Sequence, residues 1–165
     1  MKKLLLMRHA KSSWQEPGLS DHDRPLNARG NKAAPMMAQY LLSQDLRPDL
    51  VICSTAQRAK ETARLVTGVI ENVDVAPYSQ LYLSDEESYL EVIQTIPNDV
   101  ETLLLVGHNP TMEYLNTALC GAAETFSTAA IAHLEVEIDS WFDLKLNPAC
   151  NLLSFCRPRE LEELT

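Results

Sequence analysis

Positive charge is in short supply in this sequence. Lysine and arginine number 14 against 23 aspartates and glutamates, a formal net charge of −9 at pH 7. A surface of that sign repels nucleic acid and anionic membranes, which excludes general binding to either as a function. Any affinity for phosphate must therefore rest on a few cations gathered in one place. Cysteine is sparse too: Cys53, Cys120, Cys150 and Cys156 form no CxxC pair, so neither a zinc knuckle nor a disulfide framework is indicated. Reduced thiols in a cytoplasmic protein are the simpler reading. Long apolar runs are missing. Leu4 to Met7, after Met1-Lys2-Lys3, is cut off by Arg8, His9 and Lys11, too short for an export signal or a bilayer span. Repeats, low-complexity tracts and linkers are absent as well. What remains, 165 residues of which 45% are hydrophobic, fits one domain over residues 1–165 with a core of its own.

The apolar segments that are present alternate with amphipathic ones. Leu4 to Met7, Asp49 to Cys53 and Thr102 to Val106 read as buried strands. A weaker strand is expected near Val73 to Ala76, and two more around Ala130 to Ile138 and Asn151 to Cys156. Ser12 to Pro25, with Pro17, Gly18 and Asp21-His22-Asp23-Arg24, reads as a loop. A helix follows within Asn27 to Ser43, where Pro35 predicts either a kink or a late start. Ser54 with Gln57, and Ser84 with Glu87, have capping-box spacing and predict helix starts at both places. Asn109 followed by Pro110 predicts a third. Strands alternating with helices imply an α/β fold, with a mostly parallel central sheet between helical layers.

In such sheets ligands bind beyond the carboxyl ends of the strands. Three of the strands end in Arg8-His9, in Ser54 through Arg58, and in Gly107-His108. If they are neighbours, two arginines and two histidines meet in one crevice, and that set suits phosphoryl transfer. Arginine forks match the equatorial phosphoryl oxygens, and helix N-termini add N–H donors. A neutral imidazole is a competent nucleophile near pH 7, and a covalent phosphohistidine divides one hard displacement into two easier ones. His9, directly after the first strand and beside Arg8, is the better-placed nucleophile.

The motifs around these residues resemble those of the histidine phosphatase superfamily. Leu6-Met7-Arg8-His9-Ala10-Lys11-Ser12 is similar to its Arg-His-Gly signature, with Ala10 where glycine is usual. Ser54-Thr55-Ala56-Gln57-Arg58-Ala59-Lys60-Glu61-Thr62 resembles its second-arginine motif, and Val106-Gly107-His108-Asn109-Pro110 its second-histidine motif. Within the family the chain is similar to the small SixA-type branch, through Asp21 to Leu26, Phe126 to Ala132 and Cys150-Asn151-Leu152. The resemblance implies the three-layer α/β/α, phosphoglycerate mutase-like fold. It also implies that His9 is the phospho-acceptor, that Arg8, Arg58 and His108 bind the phosphoryl group, and that Asp21, Arg24 and Asn109 contact substrate. Phosphohistidine on a protein is then the expected substrate, and no cofactor or metal is expected. Larger relatives carry an acidic proton donor in an insertion for which this chain has no room.

Other readings separate on particular residues. A small-molecule phosphomonoesterase or mutase could use the same pocket, with Asp85, Glu86 or Glu87 as proton donor, although acidic residues also suit a first helical turn. A phosphate-binding module without turnover would have no need of His9. Cysteine-dependent phosphatases require one more residue between cysteine and arginine than Ser54 to Gln57 supplies, so Cys53 reads as a buried strand end. Asp21-His22-Asp23 reads as an exposed acidic turn rather than a metal site, and Glu160 to Thr165 as a solvated tail. Trp14 and Tyr82 fit either substrate walls or core packing.

Overall fold

The three most apolar runs, at Leu4, Val51 and Leu104, become neighbours at the centre of one set of strands because none can leave either face in water. In the computed structural model, which describes residues 1–147 and 150–163, these are β1 (Lys2–Arg8), β2 (Leu50–Ser54), β3 (Asp74–Tyr78), β4 (Thr102–Gly107), β5 (Ile131–Val136) and β6 (Cys150–Cys156). They form a 6-stranded sheet in the order β3-β2-β4-β1-β5-β6. β3, β2, β4 and β1 run parallel, while β5 and β6 add an antiparallel edge. The helices are α1 (Ala28–Ser43), α2 (Gln57–Ile70), α3 (Glu86–Gln94), α4 (Thr111–Cys120) and α5 (Pro158–Glu162).

Alternation along β1 divides the core. Leu4 and Leu6 face one layer, with Leu103 and Leu105 of β4, and are covered by Tyr89 and Val92 of α3 and Met112 and Leu115 of α4. Leu5 and Met7 face the other, with Leu104 and Val106, under Met37 and Leu41 of α1 and Ala63 and Val66 of α2. Each fully buried leucine contributes about 1.5–3 kcal/mol, so the central strands anchor both layers. This is the three-layer α/β/α arrangement with a mostly parallel sheet. Among the described residues, no helix is long and apolar enough to cross a membrane.

Element boundaries depart from the sequence reading in four places. Ser54 does not cap α2. It continues the β2 ladder opposite Tyr78, and the capping position falls to Ala56, which has no side-chain bond to offer. Asn109 does not cap α4, whose first residue is Thr111 and whose cap position is Pro110. Asp85, not Ser84, caps α3 by accepting from the Ser88 N–H. The acidic terminal run is partly helical, because Leu161 of α5 packs on the core beneath it; Leu164 and Thr165 lie outside the described residues. In contrast, Asn27 caps α1 through the Gly30 N–H, and the helix starts before Pro35 and continues past it.

Two glycines let the layers close around the strand ends. A Cβ at Gly30 would stand 2.2 Å from the Lys11 carbonyl oxygen, and one at Gly107 would stand 2.6 Å from the Tyr89 hydroxyl. Any side chain there must push apart the backbone after β1 from α1, or the end of β4 from α3.

Candidate active site

Register brings the motifs together. Arg8 lies opposite Gly107 across the β1–β4 pair, and Cys53 opposite Val106 across β2–β4, so three parallel strands end at one level. The His9 N–H donates to the Gly107 carbonyl at 3.0 Å, which carries that alignment one residue beyond the sheet. Arg8, His9, Arg58 and His108 thus line one open cleft of about 510 Å³, together with Arg24 and Asn109.

His9 is 6% exposed, and its Nδ1 lies 2.7 Å from the Ala10 carbonyl oxygen. A carbonyl can only accept, so Nδ1 carries the proton and Nε2 keeps its lone pair. Burial, reinforced by the charges of His108, Arg58 and Arg8 and opposed by the Ala10 bond, lowers its pKa from 6.5 to about 3. The ring is therefore neutral at physiological pH. The Ala10 N–H donates to Thr62 Oγ1 at 3.0 Å, and the Thr62 hydroxyl donates to the Arg58 carbonyl at 2.7 Å. One threonine thus ties the first motif to the second.

The His108 ring centroid lies 5.1 Å from that of His9, and His108 Nε2 pairs with Ser54 Oγ at 2.8 Å. Burial, then the nearby Arg58 charge, lowers its pKa to about 4. The His108 backbone N–H donates to the Tyr89 hydroxyl at 3.1 Å, which in turn donates to the Leu81 carbonyl at 2.9 Å. Arg58 is braced from behind, donating from Nη1 to the Asp21 carbonyl at 2.7 Å and from Nη2 to Asp21 Oδ2 at 3.1 Å. The Tyr82 hydroxyl donates to that same Oδ2 at 2.7 Å, and Arg24 Nε to Oδ1 at 3.2 Å. These partners, the Tyr82 hydroxyl foremost, hold the Asp21 carboxyl at about 2. Arg8 donates from Nη1 to the Phe126 carbonyl at 3.0 Å. The Nε atoms of Arg8 and Arg58 are buried without a protein acceptor.

The family model for the histidine phosphatase superfamily (branch 1) matches residues 4–81, the stretch holding Arg8, His9 and Arg58. A solved SixA structure from Agrobacterium tumefaciens is 30% identical and superposes with a TM-score of 0.82, covering 95% of this chain and 98% of that one. The chain belongs to the histidine phosphatase superfamily. Within the superfamily it is also similar to the protein histidine phosphatase SixA solved with tungstate, at 25% identity and a TM-score of 0.81 over 96% of this chain and 99% of that one. The phosphohistidine phosphatase SixA of Escherichia coli is 28% identical over 159 residues, spanning 91% of this chain and 96% of the relative.

This histidine phosphatase fold places the remaining sequence-derived candidates unevenly. Asp21 is not part of the cleft lining; it stands behind Arg58 as its brace, because a carboxylate so close to two guanidinium groups is drawn to them. Arg24 does line the cleft, donating to Ser12 Oγ at 2.8 Å and stacking 3.4 Å from the Trp14 ring centroid. Trp14 and Tyr82 both belong to the cleft wall rather than the core. The Asn109 amide donates to Glu113 Oε2 and to the Phe126 carbonyl, each at 2.9 Å, so its two hydrogens are already engaged. Cys53 is fully buried, and burial pushes its thiol up to about 11. Asp85 and Glu86 reach the cleft, whereas Glu87 does not.

Sequence reasoning missed Ser54 as the His108 partner, Thr62, Tyr89 and Glu113. Thr62 had a signal: it falls one helical turn after Arg58, where its hydroxyl can reach back to the Arg58 carbonyl. Tyr89 and Glu113 had none, since their roles arise only when α3 and α4 pack over the strand ends.

Proposed function

We propose that residues 1–165 act as one domain, a phosphatase that works through a phosphohistidine intermediate on His9 and takes phosphohistidine on a protein as substrate. The observation that carries this reading is the His9 Nδ1 contact with the Ala10 carbonyl at 2.7 Å. It commits the proton to Nδ1 and leaves Nε2 as the nucleophile, beside two arginines and a second histidine. In the first step the Nε2 lone pair attacks phosphorus, and the bond from phosphorus to the substrate imidazole breaks. The departing ring takes the electron pair; already protonated on its other nitrogen, it leaves neutral. In the second step water attacks phosphorus and the electron pair returns to Nε2, releasing inorganic phosphate, which takes up the proton of the attacking water. Arg8, Arg58 and His108 hold the oxygens whose charge is concentrated during both transfers.

An imidazole leaving group needs no dedicated acid. Alkoxide leaving groups need a proton, and a positioned acid is worth about 10²- to 10⁴-fold. Asp85 is a poor donor, since the Ser88 N–H and hydroxyl hold its carboxyl below the usual value. Glu86 on the cleft wall favours a second reading, a small-molecule phosphomonoesterase with that residue as acid. The cleft rim favours the protein: Trp14, Leu83 and Tyr114 stand 73%, 83% and 58% exposed around it, more apolar surface than a small phosphate ester needs. The relatives named phosphohistidine phosphatases add weight, and the four free cysteines suit a cytoplasmic setting. The test is turnover of a phosphohistidine protein beside a panel of phosphate esters under identical conditions. Phosphohistidine is expected to be hydrolysed at least about 10²-fold more efficiently; preference for simple alkyl phosphates would reject the reading.

A further inference from the structure

A second cleft of about 410 Å³ opens beside the first and shares Lys11 and Thr128 with it. Its walls hold a concentration of positive charge found in a chain that otherwise has little: Lys11 after β1, Arg29 and Lys32 on α1, and Arg159 on α5. All four are exposed. Three arginines elsewhere are matched with carboxylates, Arg24 and Arg58 with Asp21 and Arg157 with Glu124 and Glu160. Among the described residues, Lys11, Arg29, Lys32 and Arg159 make no ion pair. Glu162 is the one carboxylate in the cleft wall, so cations outnumber it there, whereas the chain as a whole carries −9. Like charges brought together raise one another's energy, and one carboxylate among four cations leaves this wall with an excess of positive charge on a chain with acidic residues to spare.

We propose that this cleft is a docking subsite for an acidic segment of the phosphorylated protein, flanking the residue whose phosphoryl group enters the His9 cleft. The proposal rests on the phosphoprotein reading above. Its geometry is that of a two-point contact. Lys11 is two residues beyond His9 and lines both clefts, so a chain leaving the phosphoryl site over Lys11 meets Arg29, Lys32 and Arg159 next. The net negative charge of the rest of the molecule repels acidic partners, which confines their approach to this patch and orients it.

Two measurements test the subsite separately from catalysis. The first compares kcat/KM of the wild-type protein and the R29E/K32E/R159E variant on a phosphohistidine protein with acidic residues flanking the modified histidine, and on free phosphohistidine. The variant is expected to lose about 10- to 10²-fold on the protein at low salt and less than about 2-fold on the free amino acid, which also reports that it folds. The wild-type rate on the protein is expected to fall with ionic strength, and the variant's to stay flat. Equal rates on the acidic protein, or equal losses on both substrates, would overturn the subsite. The second measures binding of a fluorescent poly-glutamate peptide to the same two proteins, with no turnover required. Binding weakened at least about tenfold in the variant is expected; unchanged binding would overturn the subsite even if phosphohistidine turned out to be the wrong substrate. Preference of the cleft for a small molecule bearing a second phosphate, with no affinity for the peptide, would equally reject it.

Discussion

The floor and the rim of the cleft are built by opposite means. On the floor, His9 and Arg58 are buried, His108 is half-buried, and each is tied to the backbone or to a neighbouring side chain: His9 to Ala10, Arg58 to Asp21, His108 to Ser54. On the rim, Trp14, Leu83 and Tyr114 and the cations of the adjoining cleft are exposed. The floor spends bonds on holding its geometry, as phosphoryl transfer requires. The rim leaves side chains available to a partner. Reaction and selection of substrate are thereby assigned to different residues, and each can be disturbed without the other.

The largest effects are expected on the floor. Arg58→Ala or His108→Ala should lower kcat on phosphohistidine by about 10²- to 10³-fold, the usual cost of a lost transition-state donor, with little change in poly-glutamate binding. Steady-state kinetics and the peptide titration check both halves; comparable losses in the two would dissolve the division.

Asp21→Asn addresses the brace rather than the clamp. Without its charge Arg58 loses an ion-pair partner, and a loss of about tenfold in kcat/KM is expected. Tyr82→Phe, which removes one bond to the same carboxylate, should do less. If Asp21→Asn matches Arg58→Ala in depth, Asp21 acts on substrate directly.

How far the division was legible in the sequence follows from the same physics. Arg8-His9, Arg58 and Gly107-His108 are set by strand ends and by a helix's first turn, which periodicity reveals, so the α/β/α fold and the floor could be read. The helix caps could not. Ser54 is claimed by the β2 ladder and by His108, and Asn109 by Glu113 and Phe126, competition that only packing creates. The brace on Arg58 was hidden for the same reason, since nothing local shows that Arg58 and Tyr82 converge on Asp21. The basic cleft was hidden entirely: Lys11 follows β1, Arg29 and Lys32 lie on α1, and Arg159 lies on α5.

Acid sensitivity sharpens the comparison on the stability side. The folded His9 pKa is depressed to about 3 from 6.5, so between those values the unfolded chain binds more protons than the folded one. Stability is then full above pH 6.5 and falls as pH drops toward 3. Melting curves at pH 7 and pH 4.5 should show the wild type losing on the order of 5 °C more than His9→Ala. Equal losses would mean that the ring is protonated in the folded state.

The smallest effect is expected at the acidic edge. Neutralising Asp85, Glu86 and Glu87 together should change phosphohistidine turnover less than about 2-fold, since an imidazole leaves without enzymic help. Collapse of that activity would place a required acid on α3 and favour the ester reading.

The central claim is the phosphoryl group on His9, and rapid quench tests it directly. Brief incubation with a ³²P-labelled phosphohistidine protein, followed by denaturation and peptide mapping, should show acid-labile label on His9. His9→Ala should show neither label nor turnover. Label on Cys53, or wild-type turnover in His9→Ala, would contradict the account.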